Sequence, residues 1–353
     1  MKLSIVILNW NGKLLLKKFL PNIILYTPDT PIYVVDNASQ DDSIEFLEKE
    51  HKNVEVIKLS VNTGYAKAYN LALKMIDSDV YCLINNDVMV TKNWTLPIMS
   101  FFKKKIVNIA QPLVLDFYDK NKFEYAGAAG GFIDKFGYPF CRGRIFNNIE
   151  NNIGQYDSSI NIGWASGACM FVDKKCWKSL EGFDEDFFMH QEEIDLCWRA
   201  QGLNRKIYYC SESTVFHYGG GTLESLNPIK HYYNHRNNLL LLIKNLPINL
   251  FLMIFPIRLM IDYLAIIYYF LSGVLYTIFT TPLYLHKNYH PERKFGIEKI
   301  QISILIVIAH ISVLLLTPRF LKKRSAIYPK IKYTGSIIVD YYLMNKKKFY
   351  DLK

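Results

Sequence analysis

The chain has 353 residues, half of them hydrophobic, and a formal net charge of +10 at pH 7. This length exceeds that of an average domain and predicts one large domain with an appendage. The clearest basic clusters, at 319–324 and 346–348, lie beside or beyond apolar C-terminal stretches. Positive charge in that position favours an anionic membrane surface as the partner and argues against nucleic acid.

The cysteines show neither a C-x-x-C pair nor a zinc-like spacing, so we expect buried, reduced thiols in a cytosolic compartment. They are Cys82, Cys141, Cys169, Cys176, Cys197 and Cys210. The apolar run near the N-terminus covers only residues 3–8 and is too short for a signal peptide. It predicts a first β-strand, and the domain that begins there is therefore expected on the cytoplasmic side.

Strands and helices alternate through residues 1–90. Apolar runs predict strands at 3–8, 32–35, 54–57 and 80–84, and helical patterns predict helices around 14–23, at 43–49 and at 66–76. Alternation at such short intervals indicates a parallel, doubly wound sheet. Ligands of these sheets bind beyond the carboxyl ends of the strands, where this chain carries Asn9, Asp36 and Asp87.

The second half of the chain is less regular. Residues 113–162 predict an insertion of loops and short strands. Further strands are predicted at 167–172, 207–209 and 214–216, with a helix at 192–201.

From residue 250 the composition changes. Residues 259–281 contain one charged side chain, Asp262, and 300–317 contain none. Both stretches approach the length of a bilayer crossing. Two arrangements follow, a hairpin of spanning helices or a set of interfacial amphipathic helices, and both attach the chain to a membrane. Features that weaken simple spans are Asp262, the prolines Pro256, Pro282 and Pro318, and the intervening basic residues Lys287, Arg293, Lys294 and Lys299.

Two strand ends carry candidate ligand-binding groups. Asp36 can accept hydrogen bonds from a nucleobase imide or a ribose hydroxyl, or form an Asx turn before a helix that Ser39 or Asp41 caps. The Asn85-Asn86-Asp87 run presents oxygen ligands that suit Mg²⁺ or Mn²⁺ on a diphosphate, and it is also compatible with an ordinary turn.

Carboxylates and aromatic residues are interleaved at 183–196. A carboxylate beside apolar rings has its proton affinity raised, as a general base requires, while Glu192 and Glu193 also fit the first turn of a helix as plain solvated acids. Downstream, Arg199 adds a cation, and the glycine-rich loop at 219–221 offers backbone amides that could face a phosphate. His217 could bind a metal ion or the phosphate, or be purely structural.

Eight segments, in this order, resemble the inverting family-two glycosyltransferases, specifically their rhamnosyltransferase-like branch. They are SIVILNWNG (4–12), VVDNASQDDS (34–43), NTGYAKAYN (62–70), LINNDVMV (83–90), GWASGACMFV (163–172), GFDEDFFMHQEEIDLCWR (182–199), VFHYGGGT (215–222) and YYNHRNNLLLLIKN (232–245). The resemblance implies a GT-A fold, an α/β doubly wound mixed sheet, over residues 1–245. It divides that domain into a nucleotide-binding half at 1–90 and an acceptor-binding half at 91–245. Residues 246–353 follow as a membrane-associated helical region with a basic tail.

The resemblance also implies roles for single residues. Asp87 is expected to bind Mg²⁺ or Mn²⁺, with His217 at the metal or the diphosphate. The residues expected to contact the nucleotide-sugar donor are Asn9, Asp36, Asp41, Asn62, Gly64, Asn70, Asn85, Trp164 and Gly167.

The base motif departs from the family pattern. Relatives carry Glu-Asp before the Asp-Leu of the helix, whereas this chain carries Glu192-Glu193. Glu193 stands at the position of the catalytic Asp and is the expected base, with Glu192 as the second choice.

The expected activity is inverting, metal-dependent transfer of a sugar, rhamnose or a hexose, to a glycan or lipid-linked saccharide. Two other hypotheses are a catalytically inactive membrane-bound scaffold for glycan assembly and another nucleotide-sugar enzyme such as a nucleotidyltransferase. The nucleotidyltransferase hypothesis is weakened because residues 9–13 make a poor phosphate loop.

Overall fold

A computed structural model describes residues 1–219, 227–280, 291–324 and 333–352. Residues 220–222 of the predicted glycine-rich loop, Pro282, Lys287 and the side chains of Arg293 and Lys294 lie outside this description. The chain forms two compact units, residues 1–221 with 329–353, and residues 222–328.

The main sheet of the first unit contains nine strands within the described residues. They are β1 (Leu3–Asn9), β2 (Ile32–Asp36), β3 (Glu55–Lys58), β4 (Val80–Asn85), β5 (Val88–Val90), β6 (Ile109–Asp116), β11 (Ile160–Asn161), β12 (Cys169–Asp173) and β13 (Ile207–His217). Their order is β11-β13-β6-β12-β4-β1-β2-β3, and β5 pairs with β13. The strands β4, β1, β2 and β3 run parallel, while β12 is antiparallel to both β4 and β6. The predicted mixed α/β sheet is therefore confirmed.

The parallel half forms because β1, β2 and β4 are apolar on both faces. Ile5 and Val6 are successive residues of β1 and therefore face opposite sides of the sheet, and neither has exposed surface. Strands covered on both sides need such continuous apolar runs. The described helices of this unit are α1 (Lys13–Tyr26), α2 (Ser43–Glu50), α3 (Gly64–Leu73), α4 (Thr95–Lys103), α5 (Lys174–Ser179) and α6 (Glu192–Gly202).

The central strand β6 differs from the sequence-based prediction. The insertion was expected from residue 113, but β6 continues to Asp116. Its partner β13 is one strand where two were predicted, and its register shifts between Cys210 and Thr214, opposite Pro112. Because proline lacks the N–H that a ladder needs, a bulge in the partner strand accommodates it.

The insertion carries a second sheet of four short strands in the described region. They are β7 (Gly131–Ile133), β8 (Pro139–Cys141), β9 (Arg144–Ile145) and β10 (Asn148–Ile149). All six cysteines lie in the range 1–219, where they are free and buried as expected.

The C-terminal tail packs on this insertion. Phe349 N donates to Glu150 Oε1 at 3.0 Å, and its ring lies 4.9 Å from that of Phe132 between centroids. Ile337 N donates to Asp134 Oδ2 at 2.9 Å. The tail includes a π-helical turn (Val339–Leu343) and a 3₁₀ turn (Phe349–Leu352). This tail belongs to the predicted membrane-associated region at 246–353, but its aromatic and hydrogen-bonding contacts place it in the sheet unit.

The second unit contains α7 (Pro228–Asn245), α8 (Ile248–Thr280) and α9 (Pro291–Lys322). The long helices α8 and α9 continue through Pro256 and Pro318. By length and composition, Ile248–Ile278 and Phe295–Lys322 could each cross a membrane. Their close approach is permitted by small residues, since a Cβ on Gly273 would lie 2.8 Å from the carbonyl oxygen of Gly296.

The one acid of the apolar α8 stretch is paired inside this helical unit. Asp262 Oδ1 lies 3.7 Å from Arg258 Nη2 and 3.4 Å from His235 Nδ1, and Oδ2 lies 3.2 Å from His310 Nε2. Arg258 Nη2 also donates to Asn238 at 2.8 Å. Ionisable groups within apolar helices face the bundle interior and pair with one another in this way.

Candidate active site

A series of side-chain hydrogen bonds joins the carboxyl ends of β1, β2 and β4. Asn9 and Asp36 are register partners with no exposed surface. Asn9 Nδ2 donates to Asp36 Oδ1 at 3.2 Å, and Asn86 Nδ2 donates to Asn9 Oδ1 at 2.9 Å. The backbone N–H of Ser39 donates to the other Asp36 oxygen at 3.0 Å. The Asp36 carboxylate is therefore held in a fixed orientation at this edge of the sheet.

Gly12 allows the loop after β1 to approach these strand ends. A Cβ at this position would lie 2.3 Å from Asn86 Nδ2 and 2.4 Å from Asn9 Oδ1. These are the two atoms of the hydrogen bond between β4 and β1, so a larger residue would displace one of them.

Asp41 organises the loop that leads into α2. Its carboxylate accepts hydrogen bonds from the backbone N–H of Lys13 at 2.9 Å and of Ser43 at 3.1 Å. Burial raises the pKa of Asp41, but these hydrogen bonds and that of the Ser43 hydroxyl outweigh it and leave the pKa lowered. These contacts hold the loop, but the N-cap residue of α2 is Asp42, so the predicted cap by Ser39 or Asp41 is wrong. The placement of Asp41 near a nucleoside stays a prediction.

The N-terminus of α3 is held against the segment that precedes α6. Asn62 Oδ1 accepts from Gly64 N at 2.9 Å and from Asn37 Nδ2 at 3.0 Å. Gly64 has a φ of +79°, and a Cβ there would lie 2.5 Å from Cδ2 of Phe188. Phe188 O in turn accepts from Tyr65 N at 2.8 Å. Glycine is needed here both for its backbone conformation and for the close approach.

Asn70 has a fixed partner within the fold. Its Nδ2 donates to Phe183 O at 2.8 Å, and its Oδ1 accepts from Phe183 N at 3.0 Å. This buried amide joins α3 to the start of the 183–191 segment, and its expected position in the donor pocket stays a prediction.

Asp87 and His217 face each other at the next strand end. Val88 of β5 pairs with His217 of β13, which brings Asp87 Oδ1 within 3.1 Å of His217 Nε2. Both side chains are buried. Burial disfavours the imidazolium, but the carboxylates of Glu124 and Asp87 outweigh it and raise the pKa of His217 well above its ordinary value. The two residues expected at the metal are therefore neighbours.

This corner fits a divalent cation that also binds substrate. Among the described residues no cluster of three protein ligands occurs. Asp87 Oδ1 is buried and accepts no hydrogen bond from them, so one carboxylate oxygen and one imidazole nitrogen converge. Mg²⁺ and Mn²⁺ are commonly held by few protein ligands together with substrate phosphates and water. Asp87 and His217 are suitable protein ligands for such a cation.

Glu192 and Glu193 begin α6 and differ in exposure. Glu192 is 4% exposed, whereas Glu193 is half-buried. The Oε2 atom of each is buried and accepts no hydrogen bond from the described residues. Burial raises the pKa of Glu193 to about 7. Burial and the neighbouring Glu193 charge raise the pKa of Glu192 well above its usual value. Near neutral pH, Glu192 keeps its proton and Glu193 can gain or lose one.

Gly167 and Tyr65 form the other side of this acidic pair. A Cβ on Gly167 would lie 3.9 Å from the carboxyl carbon of Glu193 and 3.2 Å from the Tyr65 hydroxyl. That hydroxyl donates to Gly167 O at 2.8 Å. The next residue, Ala168, accepts a hydrogen bond at its carbonyl oxygen from Asn85 N at 3.0 Å. The 167–168 backbone therefore contacts both Glu193 and the start of the Asn85-Asn86-Asp87 run.

The segment before α6 has an unusual backbone. Phe188, His190 and Gln191 have φ values of 63°, 66° and 70°. Such conformations are uncommon for residues other than glycine, and they concentrate at functional sites. Here they precede the acidic pair directly.

Two residues of the sequence analysis have structural contacts in this region. Arg199 Nε donates to Asp195 at 2.7 Å, and its guanidinium donates to Leu180 O and Gly182 O at 2.6 and 2.8 Å. Its charge is therefore used within the fold. Trp164 is 4% exposed and donates to Phe132 O at 2.9 Å, so its expected place at the sugar stays a prediction.

Residues 4–177 match the model of the family described as Glycosyl transferase family 2. They include the strand ends of β1, β2 and β4 and the glycine beside the acidic pair. This region is a glycosyltransferase family 2 domain.

Curated relatives of this family 2 domain resemble the chain at low identity. The low-salt glycan biosynthesis hexosyltransferase Agl10 of Haloferax volcanii is 23% identical over 220 residues, 61% of this chain and 66% of that protein. An N-acetylglucosaminyl-diphospho-decaprenol L-rhamnosyltransferase of Mycobacterium tuberculosis is 23% identical over 221 residues, 58% of this chain and 71% of that protein. The match thus leaves about a third of these relatives uncovered.

Solved structures support the GT-A fold of the domain. The mannosyltransferase PcManGT of Pyrobaculum calidifontis, in complex with GDP-Man and Mn²⁺, has a TM-score of 0.52 at 13% identity, covering 89% of this chain and 87% of its own. GalNAc-T7, with UDP, GalNAc and Mn²⁺, has a TM-score of 0.50 at 16% identity, covering 61% of this chain and 43% of its own.

Two residues of the candidate site were missed from the sequence. Glu124 is 6% exposed and its Oε1 lies 3.1 Å from Nδ1 of His217. Tyr65 lies in the quoted 62–70 motif but was given no role there. The sequence offers only an acid flanked by Phe123 and Tyr125 as a signal for Glu124. Its partner becomes evident only when β6 and β13 pair.

Proposed function

We propose that the protein is an inverting, metal-dependent glycosyltransferase that moves a sugar from a nucleoside-diphosphate donor to a hydroxyl of a lipid-linked or cell-surface glycan intermediate. One observation carries the proposal above all. Glu193, a half-buried carboxylate with a pKa of about 7, lies beside Gly167 of the family 2 domain. The residue after Gly167, Ala168, is hydrogen-bonded to Asn85 at the strand end before Asp87.

Glu193 is the proposed base because it is accessible and can be ionised at neutral pH. It accepts the proton of the acceptor hydroxyl while the hydroxyl oxygen attacks the anomeric carbon from the face opposite the diphosphate. The new glycosidic bond forms as the bond to the diphosphate oxygen breaks, so the anomeric configuration inverts. Glu192, more deeply buried and protonated, cannot take this proton until its own is lost.

The other strand ends hold the donor. The nucleobase or ribose of the donor is placed beside Asp36, which Asn9 and Ser39 orient. Asp87 and His217 would hold a divalent cation, which neutralises charge on the departing diphosphate. The solved neighbours with Mn²⁺ support this assignment of the cofactor.

The apolar helices favour a membrane-bound acceptor. In the most apolar 18-residue stretches of α8 and α9, only 11% and 33% of the residues are buried. Both helices therefore have long exposed apolar faces. Exposed apolar area of this extent indicates a membrane or a protein partner, and the helix length favours the membrane. We place the catalytic unit on the cytoplasmic side. The relative named for a diphospho-decaprenol substrate supports a lipid-linked acceptor.

The test is transfer by the full-length protein in detergent or nanodiscs. Donors are dTDP-rhamnose, UDP-hexoses and GDP-mannose, and the acceptor is a polyprenyl-diphosphate-linked sugar. We expect transfer from one donor with inversion, read from the anomeric configuration of the product by NMR. Retention of configuration would contradict the mechanism. Donor binding without transfer to any acceptor would favour the scaffold hypothesis.

A further inference from the structure

Glu124 lies behind His217 as seen from Asp87. Nδ1 of His217 is 3.1 Å from Glu124 Oε1, and Nε2 is 3.1 Å from Asp87 Oδ1. Glu124, His217 and Asp87 are all buried. The two ring nitrogens therefore face two different carboxylates, and the imidazole plane is fixed between them.

The position of Glu124 is fixed by its own backbone and loop. Glu124 N donates to Val114 O of β6 at 3.1 Å. Its second carboxylate oxygen, Oε2, accepts a hydrogen bond from Ala126 N. On the other side, a Cβ on Gly219 would lie 3.6 Å from Oε1. One oxygen of this carboxylate therefore binds the backbone of its own loop, and the other lies against His217.

A histidine that binds a metal ion must present a ring nitrogen without a proton. The proton then resides on the other nitrogen, and a carboxylate that accepts it fixes the tautomer, orients the ring and makes the ligating nitrogen more basic. Glu124 has the position that this task requires, since it is on the side of the ring opposite Asp87.

We propose that Glu124 is a positioning residue that keeps the proton on Nδ1 of His217 when a divalent cation beside Asp87 displaces the proton from Nε2, so that Nε2 is directed at the cation. The inference rests on the proposed function, because it concerns the same cation site. Glu124 itself contacts neither substrate nor cation. Its effect should therefore appear in cation affinity and in the choice between cations.

The choice between cations gives a readout that a merely structural role would not change. An imidazole nitrogen favours Mn²⁺ over Mg²⁺, whereas carboxylate and phosphate oxygens suit both. Glu124→Gln should weaken the His217 contribution because glutamine lacks the negative charge. Its amide has one oxygen in place of two, so that oxygen cannot both face His217 Nδ1 and accept from Ala126 N. Mn²⁺ binding should weaken more than Mg²⁺ binding.

The experiment measures Mn²⁺ binding to the full-length protein in nanodiscs with UDP or dTDP present, by electron paramagnetic resonance of free Mn²⁺, with Mg²⁺ as competitor. For Glu124→Gln we expect Kd for Mn²⁺ to rise about 10- to 100-fold. The ratio of the Mg²⁺ and Mn²⁺ Kd values should fall towards that of His217→Ala.

Glu150→Gln is the matched control. Glu150 is another buried acid of the insertion, and it accepts from Tyr156 and Phe349 N instead of from His217. This variant should keep the wild-type Mn²⁺ affinity even if it unfolds at a lower temperature. A Glu124→Gln protein with wild-type Mn²⁺ affinity and wild-type cation preference would overturn the role of Glu124 but leave the proposed function standing. If the wild-type protein binds no Mn²⁺ with either nucleotide, the cation part of the proposed function fails, and this inference fails with it.

Discussion

Nε2 of His217 lies 3.1 Å from Oδ1 of Asp87. This contact joins the end of β13 to the turn between β4 and β5. The pairing of β5 with β13 produces it. It brings the Asn85-Asn86-Asp87 run and the segment around His217, which are distant in sequence, together in one part of the candidate site.

Replacing Asp87 tests this corner. Asp87→Asn keeps the shape but removes the negative charge that the proposed cation requires. We expect kcat to fall by about 10²-fold or more. Asp119→Asn, at an exposed acid of the insertion, should leave turnover unchanged. Equal turnover of Asp87→Asn and wild type at limiting Mn²⁺ would exclude Asp87 as a ligand.

The pH dependence of turnover tests the ionisation of Glu193. A base acts only when it is unprotonated, so kcat/KM should be low at pH 5, rise through a midpoint near pH 7 and level off above it. The measurement is kcat/KM from pH 5 to 9 at saturating cation. A flat profile across this range would show that no group with a pKa near 7 has to lose its proton.

Glu193→Gln should also stabilise the protein at high pH. The folded-state pKa of Glu193, about 7, exceeds the ordinary value of 4.5, so folding favours the protonated form. The contribution of Glu193 to the free energy of unfolding is therefore fully present below pH 4.5 and is lost as pH rises through 7. A neutral glutamine avoids that decrease and should gain on the order of 2 kcal/mol at pH 8 but nothing at pH 4.5. Denaturant unfolding at the two pH values measures the difference, and a destabilised variant at pH 8 would contradict the argument.

Gly64→Ala tests the contact between α3 and the segment before α6. The added methyl group adopts an unfavourable φ and meets the Phe188 ring, so we expect a loss of about 2–4 kcal/mol. Gly154→Ala is the matched control because Gly154 also has a positive φ, +82°, and meets only an Asp157 oxygen at 3.0 Å. It should lose about 1 kcal/mol. Similar losses in both variants would show that the Phe188 contact is unimportant.

Vesicle flotation tests the membrane attachment. Leu264 and Leu271 of α8 are 60% and 54% exposed. Their replacement by Glu puts charges on the exposed apolar face and should release full-length protein from anionic vesicles. Leu203→Glu, at an exposed leucine of the sheet unit, should not. Flotation of the α8 variant at the wild-type level would exclude this face as the attachment surface.

The parallel half of the sheet could be predicted from sequence because its signals are local. The runs at β1, β2 and β4 are apolar, and polar residues follow each of them, so both the strands and the position of Asp36 and Asp87 can be inferred. Strand β6 could not, because Gln111 and Pro112 interrupt the apolar pattern and only the bulge of β13 makes room for the proline.

The missing parts of the site depend on contacts between distant segments. Glu124 has no motif of its own, and its partner His217 is supplied by another strand. The tail around Phe349 follows the apolar helices in sequence, yet its ring packs on Phe132 of the insertion. Periodicity contains no information about either contact.

The most direct test of the central claim compares Glu193→Gln, Glu192→Gln and Glu181→Gln with the wild type in sugar transfer, while donor binding is measured in parallel. Glu181 is an exposed acid near the site and serves as the control. We predict that Glu193→Gln lowers kcat by about 10²- to 10⁴-fold with donor affinity retained, and that Glu181→Gln matches the wild type. Glu192→Gln should lose less than Glu193→Gln, since a neutral amide replaces a carboxyl group that is already protonated. Wild-type turnover by Glu193→Gln, or a larger loss for Glu192→Gln, would contradict the assignment of Glu193 as the base.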